Sequence, residues 1–401
     1  MVSILWDFVF GWRSAFRVMF LAAIAPVAAF VLGFIAIGVL ISSIIFDRFK
    51  QHFEITMTRE MLPPKAEEST LTTPDGVTLR YYTGTSTSGK TPDGSTPSAD
   101  KVVLFFNPLG MKGPKSYAPV IAACVEAWGP GVTFIGFDYR GFFESDDPKR
   151  MRTIDVRNHA QDGYEVLKAV VGETRGADLV VGHSMGVQVS LEFALLYPEK
   201  VGSMVLLNGT YGHALQTGLQ PIIKLPYVGD LLCGLILWIV ERGHEQYLEA
   251  MRKGGEPIVG VIFAALTRCF GSKSMEKLMG KDYMLQFWNN YLGGVCSNTK
   301  SMKAFLRGFQ VLDAHNTSHL LFQLSHPTLL IAGLWDIFTP AYNMCVMNRQ
   351  MQNTRLVIDI FSTHATVIEH PERVLGEVTH FLSKEVPNFK RMKSMVFEKQ
   401  E

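Results

Sequence analysis

Six short apolar runs, separated by longer stretches with helical patterns, constrain the fold of this chain more than any other feature. The runs cover residues 102–106, 132–137, 179–181, 204–207, 328–332 and 356–360. Because such runs alternate with helices, they predict the strands of a mostly parallel sheet that is covered by helices on both faces. Two further strands are expected within residues 71–82, on either side of Pro74-Asp75-Gly76, where Asp and Gly favour a hairpin turn. The sequence therefore predicts an α/β fold with an eight-stranded sheet.

The alternation of strands and helices is interrupted once. Residues 211–325 have a mainly helical pattern, which predicts a helical cap inserted between two parts of the core, residues 51–210 and 326–390. A short tail follows at 391–401. Residues 83–100 are rich in Gly, Ser, Thr and Pro, and a segment of that composition is typical of a mobile surface loop.

The N-terminal segment predicts a membrane anchor. Residues 18–46 contain no charged side chain, whereas Arg13 and Arg17 precede them and Arg48 follows. This run is longer than the roughly 20 residues that cross a bilayer as a helix, and much longer than the apolar part of a cleaved signal peptide. We expect residues 1–50 to form an uncleaved, single-pass anchor. Positive residues near the ends favour the cytoplasmic side for the rest of the chain.

Composition excludes several other functions. Lys and Arg (38) nearly balance Asp and Glu (37), so the chain lacks the net positive charge that would attract nucleic acid. The five cysteines lack the short spacings of metal or redox motifs, and no His, Asp and Glu cluster has ligand spacing, so no metal or cofactor is expected. The triplet Asn208-Gly-Thr fits the glycosylation pattern, but such triplets often arise by chance. The oligomeric state stays open.

The pentapeptide Gly182-His183-Ser184-Met185-Gly186 lies between an apolar run and a helical pattern at 187–196. Glycines at its first and last positions permit a sharp strand-to-helix turn that exposes the Ser184 hydroxyl at the edge of the sheet. A serine hydroxyl becomes a good nucleophile only when a base accepts its proton. The motif therefore predicts Ser184 as a nucleophile, and the alternative is an ordinary turn between a strand and a helix.

Two downstream residues could activate that hydroxyl. Asp336 follows the run at 328–332, and His364 follows the run at 356–360. The carboxyl ends of parallel strands meet at one edge of a sheet, and the chain order Ser, Asp, His is that of hydrolases with this elbow. We expect His364 to act as general base and Asp336 to orient it. The alternatives are a turn or capping role for Asp336 and a surface position for His364.

Four local patterns support a more specific interpretation. They are Asp138-Tyr-Arg140-Gly141-Phe-Phe-Glu-Ser145, the elbow 182–186, the segment 333–340, and His364 followed by Glu369-His-Pro371-Glu372. With these patterns, the chain from about residue 71 to 385 resembles the α/β-hydrolase superfamily, in particular its small lipases and esterases of the monoacylglycerol-lipase kind. The resemblance implies that Ser184, Asp336 and His364 form the catalytic triad.

One departure from that family concerns the oxyanion hole. Where such enzymes usually carry His-Gly after the third strand, this sequence has Asn107-Pro108-Leu109-Gly110. An oxyanion hole needs backbone N–H groups, and Pro108 has none, so Leu109 and Met185 are the expected donors. Asn107 either adds a side-chain hydrogen bond or braces the loop.

The cap composition suggests the substrate. Residues 231–240 and 258–266 are almost continuously apolar but too short to span a bilayer, so they are either buried against the core or in contact with lipid. An apolar entrance near a membrane suits an acyl chain, and the expected substrates are acyl esters of lipids, of the monoacylglycerol or lysophospholipid kind. Two alternatives remain. One is an acyltransferase, although acyltransferases of this superfamily often carry Asp where Glu369 stands. The other is a binding protein with this fold but without catalytic activity.

Overall fold

The computed structural model describes most of the two predicted core parts and the ends of the cap. The described residues are 66–86, 100–112, 117–218 and 299–388, together with Glu249, Lys253 and Tyr291. The predicted anchor at 18–46, the apolar cap segments 231–240 and 258–266, and the tail lie outside them. Among the described residues, no helix combines the length and the apolar character that a membrane span requires.

Eight strands form one sheet. They are β1 Glu67–Thr72, β2 Thr78–Thr85, β3 Lys101–Phe106, β4 Val132–Phe137, β5 Leu179–His183, β6 Met204–Leu207, β7 Thr328–Gly333 and β8 Thr354–Asp359. Their order across the sheet is β1-β2-β4-β3-β5-β6-β7-β8. β2 pairs antiparallel with both β1 and β4, and all other pairs are parallel. The predicted α/β fold with a mostly parallel eight-stranded sheet is confirmed.

Helices cover the sheet and connect its parallel strands. Within the described residues they are α1 Ala118–Trp128, α2 Val156–Val171, α3 Met185–Leu196, α4 Ala214–Thr217, α5 Thr299–Ala314, α6 Ala341–Gln350, α7 Thr366–Glu369 and α8 Pro371–His380. Parallel strands need such crossovers because each must return to the same end of the sheet before the next begins.

Alternate side chains of the central strands enter two separate cores. In β3, Val102, Leu104 and Phe106 pack on the face that α2 and α3 cover. Val103 and Phe105 pack on the opposite face against α1 and α8. Successive side chains of a strand point to opposite faces, so a strand buried on both sides must be apolar throughout. This explains why the central strands read as continuous apolar runs.

Several predicted strand boundaries were wrong, among them the ends of β2 and β8. Thr83 and Thr85 belong to β2, where they pair with Ile135 and Thr133, and are not part of the mobile loop expected at 83–100. Their backbone groups pair without apolar side chains, and threonine suits strands because it is β-branched. The last strand ends at Asp359, one residue before Ile360, because Asp359 is opposite the final residue of β7.

A buried ion-pair network fixes the loop that follows β4. The Arg140 guanidinium donates to both carboxylate oxygens of Asp162 in α2, at 2.5 and 2.8 Å, and to Asp75 in the β1–β2 turn at 2.7 Å. Arg140 and Asp162 are almost completely buried. Bidentate pairs of this kind are directional, so Arg140 holds the hairpin turn against α2.

Candidate active site

The turn between β5 and α3 holds Ser184 in a conformation that non-glycine residues rarely adopt. Its φ is 55° and its ψ is −116°. A Cβ atom at Gly186 would lie 1.9 Å from the Phe106 carbonyl oxygen, and one at Gly182 would lie 2.4 Å from the Ser190 hydroxyl. Both glycines therefore permit close backbone contacts, and the surrounding structure enforces the strained turn at Ser184.

The structure brings the three predicted residues into one hydrogen-bonded chain. His364 Nε2 lies 2.8 Å from Ser184 Oγ, and His364 Nδ1 lies 2.8 Å from Asp336 Oδ2. An ionised carboxylate only accepts, so Nδ1 carries the proton and Nε2 is left to accept the proton of the Ser184 hydroxyl. This is the tautomer that a histidine needs to serve as a general base toward serine.

Asp336 is oriented by its own turn as well as by the histidine. Its Oδ1 accepts the backbone N–H groups of Phe338 and Thr339, both at 2.9 Å. Its Oδ2 accepts the Asn208 amide at 3.2 Å and lies 2.8 Å from the Thr339 hydroxyl oxygen. The turn-forming role considered from sequence is thus present together with the contact to His364. Because the turn fixes one oxygen, the other is held toward the imidazole.

The backbone just before His364 is held from two sides. Glu369, which is buried, accepts the backbone N–H of Thr363 at 2.7 Å and its hydroxyl at 2.5 Å. The Thr363 carbonyl accepts the Asn208 amide at 2.9 Å. A Cβ atom at Gly333 would lie 2.1 Å from the same carbonyl oxygen, so the loops after β7 and β8 approach closely. These contacts fix the direction from which the imidazole reaches Ser184.

The side chain of His183 contacts the backbone carbonyl of His364. Its Nε2 lies 2.9 Å from the carbonyl oxygen of His364. Burial lowers the pKa of His183 to about 3, and the neighbouring His364 adds to this effect, so its ring is neutral at physiological pH. A carbonyl can only accept, so Nε2 carries the single ring proton. Nδ1 is buried and has no hydrogen-bond partner among the described residues.

The loop after β3 lies beside the elbow. Met111 donates its backbone N–H to Pro108 O at 3.2 Å, and Gly110 has a φ of 78°, which together define a tight turn. In a trans peptide the N–H points opposite to the preceding carbonyl, so the Leu109 N–H points out of this turn. Asn107 donates its side-chain amide to Phe137 O at 3.1 Å and so braces the loop. The donor roles of Leu109 and Met185 remain predictions.

One exposed apolar side chain borders the site, and a second lies in the same loop. The Phe338 ring packs edge-on against His364 with centroids 5.3 Å apart, and 41% of Phe338 is exposed. Leu334, in the same loop after β7, is 49% exposed. Tyr291, within the predicted cap, contacts the loop after β3, because its hydroxyl donates to Leu109 O at 3.0 Å.

Sequence reasoning missed several residues that surround the candidate triad. Asn208, Thr339, His183 and Glu369 all hold it in place, and none was selected from the sequence for that role. Asn208 directly follows β6, so the strand-end argument used for Asp336 also pointed to it. The contacts of the others depend on how separate loops meet, and a sequence pattern does not reveal that.

A serine, an imidazole and a carboxylate in one hydrogen-bonded chain, at the carboxyl edge of a parallel sheet covered on both faces, define a hydrolase of the α/β-hydrolase type. Comparison with known families agrees with this class. The sequence pattern of the family described as alpha/beta hydrolase fold matches residues 101–371. The chain belongs to the α/β-hydrolase fold family.

Several known hydrolases are similar to this chain. A 2-hydroxy-6-oxononadienedioate/2-hydroxy-6-oxononatrienedioate hydrolase of Pseudomonas putida is 25% identical over 284 residues, which cover 70% of this chain and 87% of that protein. An esterase from Exiguobacterium antarcticum has a TM-score of 0.56 at 18% identity and covers 79% of this chain and all of its own (100%). A membrane phospholipase A, described as a bacterial virulence factor, has a TM-score of 0.52 at 16% identity and covers 97% of this chain and 100% of its own. The two structural likenesses show the fold alone.

Proposed function

We propose that this protein is a membrane-anchored serine hydrolase that cleaves carboxylic esters with apolar acyl groups, of the kind found in lipids. The observation that carries the proposal is the pair of 2.8 Å contacts that joins Ser184 to His364 and His364 to Asp336. Such a chain activates a hydroxyl for attack on a carbonyl carbon.

In the proposed acylation step, Ser184 Oγ attacks the ester carbonyl carbon and its proton moves to His364 Nε2. The carbonyl oxygen becomes an oxyanion, which the backbone N–H groups of Leu109 and Met185 stabilise. The tetrahedral intermediate collapses to an acyl-serine, and the departing alcohol oxygen takes the proton from Nε2. Asp336 keeps the imidazolium in position while it is charged.

Deacylation repeats these events with water as the nucleophile. His364 accepts a proton from water, the resulting hydroxide attacks the acyl carbon, and the Ser184 oxygen leaves with the proton from Nε2. The free acid is released and the site returns to its starting protonation state. The histidine therefore serves as base and then as acid in each half of the cycle.

Two features support an apolar acyl group. Phe338 and Leu334 present exposed apolar surface on the loop that carries Asp336, and Phe338 contacts the catalytic imidazole. The apolar runs at 231–240 and 258–266 and the predicted anchor at 18–46 agree in character with that surface, although they lie outside the described residues. A site of this composition favours acyl chains over sugars or peptides.

A fluorophosphonate probe tests the serine mechanism, because Ser184 Oγ would form a bond to phosphorus as fluoride leaves. We expect labelling of the wild-type chain and none of Ser184→Ala. Ser203→Ala is a matched control, since Ser203 is a buried serine that donates to Asp178 O at 2.8 Å. It should label like the wild type.

Nitrophenyl esters of increasing chain length test the substrate class. We expect kcat/KM to rise from acetate to octanoate and to fall to background in Ser184→Ala. A preference for acetate would contradict the apolar acyl group but not the serine mechanism. A folded wild-type chain without an adduct on Ser184 would contradict the mechanism itself.

A further inference from the structure

The end of β6 lies between the loops that supply the nucleophile, the acid and the base. The Leu207 carbonyl accepts the backbone N–H of Ser184 at 3.0 Å. The next residue, Asn208, donates its own backbone N–H to Ile331 O in β7 at 2.8 Å. The dipeptide is therefore fixed to both neighbouring strands where they end.

The side chain of Asn208 extends this connection to the other two triad loops. Its single amide nitrogen donates one hydrogen to Asp336 Oδ2 at 3.2 Å and the other to Thr363 O at 2.9 Å. Thr363 directly precedes His364 in the chain. The residue is fully buried, so water does not compete for these hydrogens.

The backbone of Asn208 also restricts which residue can stand there. Its φ is 44°, in the left-handed region that asparagine and aspartate tolerate better than other non-glycine residues. Aspartate shares that tolerance and nearly the same shape, but it offers no amide hydrogens. Asparagine meets both requirements.

We propose that Asn208 is a positioning residue, whose amide fixes the Asp336 carboxylate and the backbone next to His364 relative to each other. This inference rests on the proposed function, because the positioned groups are those of the serine hydrolase. The Asn208 carbonyl oxygen adds a further contact, since it lies 2.7 Å from the Thr339 hydroxyl oxygen. Asn208 thus touches the acid and its supporting hydroxyl, and it holds the base through the backbone of Thr363.

The sharpest test is Asn208→Asp in the full-length chain, measured per active site titrated with a fluorophosphonate probe. The variant loses both donors and places a second carboxylate beside Asp336. We expect kcat for nitrophenyl butyrate to fall roughly 100-fold with little change in KM, as small misplacements of catalytic groups do. The acid limb of the kcat/KM profile should move to higher pH, because added negative charge favours the protonated imidazole.

Asn208→Gly separates loss of the amide from the added charge. Glycine accepts the left-handed backbone, so this variant should fold if the aspartate variant does not. We expect kcat to fall about tenfold, with a smaller displacement of the acid limb than in Asn208→Asp. The matched control is Asn343→Asp, because Asn343 is equally buried and its amide donates to Thr217 Oγ1 at 3.2 Å. Its kcat should stay near the wild-type value.

The outcomes separate the two proposals. A wild-type chain that neither hydrolyses the ester nor forms an adduct on Ser184 overturns the proposed function, and this inference with it. An active wild type whose Asn208→Asp and Asn208→Gly variants keep their kcat per titrated site and their acid limb overturns the positioning role alone. A lowered Tm with unchanged kcat would leave Asn208 a purely structural residue.

Discussion

At the scale of residues, individual hydrogen-bonding groups position the candidate triad. The Thr339 hydroxyl is one of them. Its oxygen lies 2.7 Å from Asn208 O, 2.8 Å from Asp336 Oδ2 and 3.2 Å from His364 Nδ1. A hydroxyl has one hydrogen to donate and two lone pairs that accept. The hydroxyl hydrogen can bond only one of the two oxygens at a time. A lone pair of the hydroxyl can accept a second, longer hydrogen bond from Nδ1–H, which donates mainly to Asp336 Oδ2.

Replacing Thr339 with valine tests this role, because valine keeps the shape and removes the hydroxyl. We expect Thr339→Val to lower kcat roughly tenfold with KM unchanged, since removing a group that orients a ligating or catalytic side chain typically costs 10- to 100-fold. Thr339→Ser restores the hydroxyl and should recover most of the rate. Steady-state hydrolysis of nitrophenyl butyrate, normalised by active-site titration, measures both. Equal kcat in the valine and wild-type chains would exclude a positioning role.

At the scale of elements, the segment between β8 and α8, which includes α7, carries His364 and depends on a buried acid. Burial raises the pKa of Glu369 to about 7, and this outweighs the two hydrogen bonds from Thr363. The ionisable groups that face it are His370 and Asp359, which lie 2.6 Å apart. Glu369 therefore changes charge near neutral pH in the folded state.

The sign of the resulting pH dependence follows from linkage. A folded pKa above the unfolded value means that the folded state binds the proton more tightly, so this contribution is complete below about pH 4.5 and is lost as pH rises through about 7. Glu369→Gln cannot ionise and should lack this loss. We expect the free energy of unfolding of wild type minus variant to fall by on the order of 3 kcal/mol between about pH 5 and about pH 9. Urea unfolding at both pH values measures it, and a constant difference would refute the assignment.

Three separate parts of the chain hold the backbone around His364. His183 in β5 holds the His364 carbonyl, and Glu369 and Asn208 hold the two backbone groups of Thr363. Each of these contacts comes from a different part of the chain. A change in any one of them should act on catalysis through the loop without contact with the substrate.

At the scale of the molecule, the candidate site lies at the carboxyl ends of four adjacent parallel strands. Ser184, Asn208, Asp336 and His364 follow β5, β6, β7 and β8 in the order in which those strands lie in the sheet. The sheet and the site belong to one compact unit, His52–Glu401. The predicted anchor lies outside that unit, so it should be separable from the chemistry.

Deleting residues 1–51 tests that separation. We expect the full-length chain to sediment with membranes and to stay there after alkaline carbonate, because an apolar run longer than about 20 residues inserts stably. The shortened chain should be released, keep its kcat on soluble nitrophenyl butyrate and lose activity on lipid esters in vesicles. An unrelated transmembrane helix in place of the deleted segment should restore the vesicle activity. A full-length chain that stays in the supernatant would contradict the anchor.

The sequence by itself predicted eight strands and placed Ser184, Asp336 and His364 just beyond three of them. It could do so because a strand buried on both faces must be apolar throughout, and the residues just beyond parallel strands must meet at one edge. The sequence pattern did not predict the end of β2, because Thr83 and Thr85 pair through backbone groups and carry no apolar side chains. Only the tertiary structure decided that Asn208, Thr339 and Glu369 hold the triad. Hydrogen bonds between loops depend on distances of a few tenths of an ångström, and only the packed sheet sets those distances.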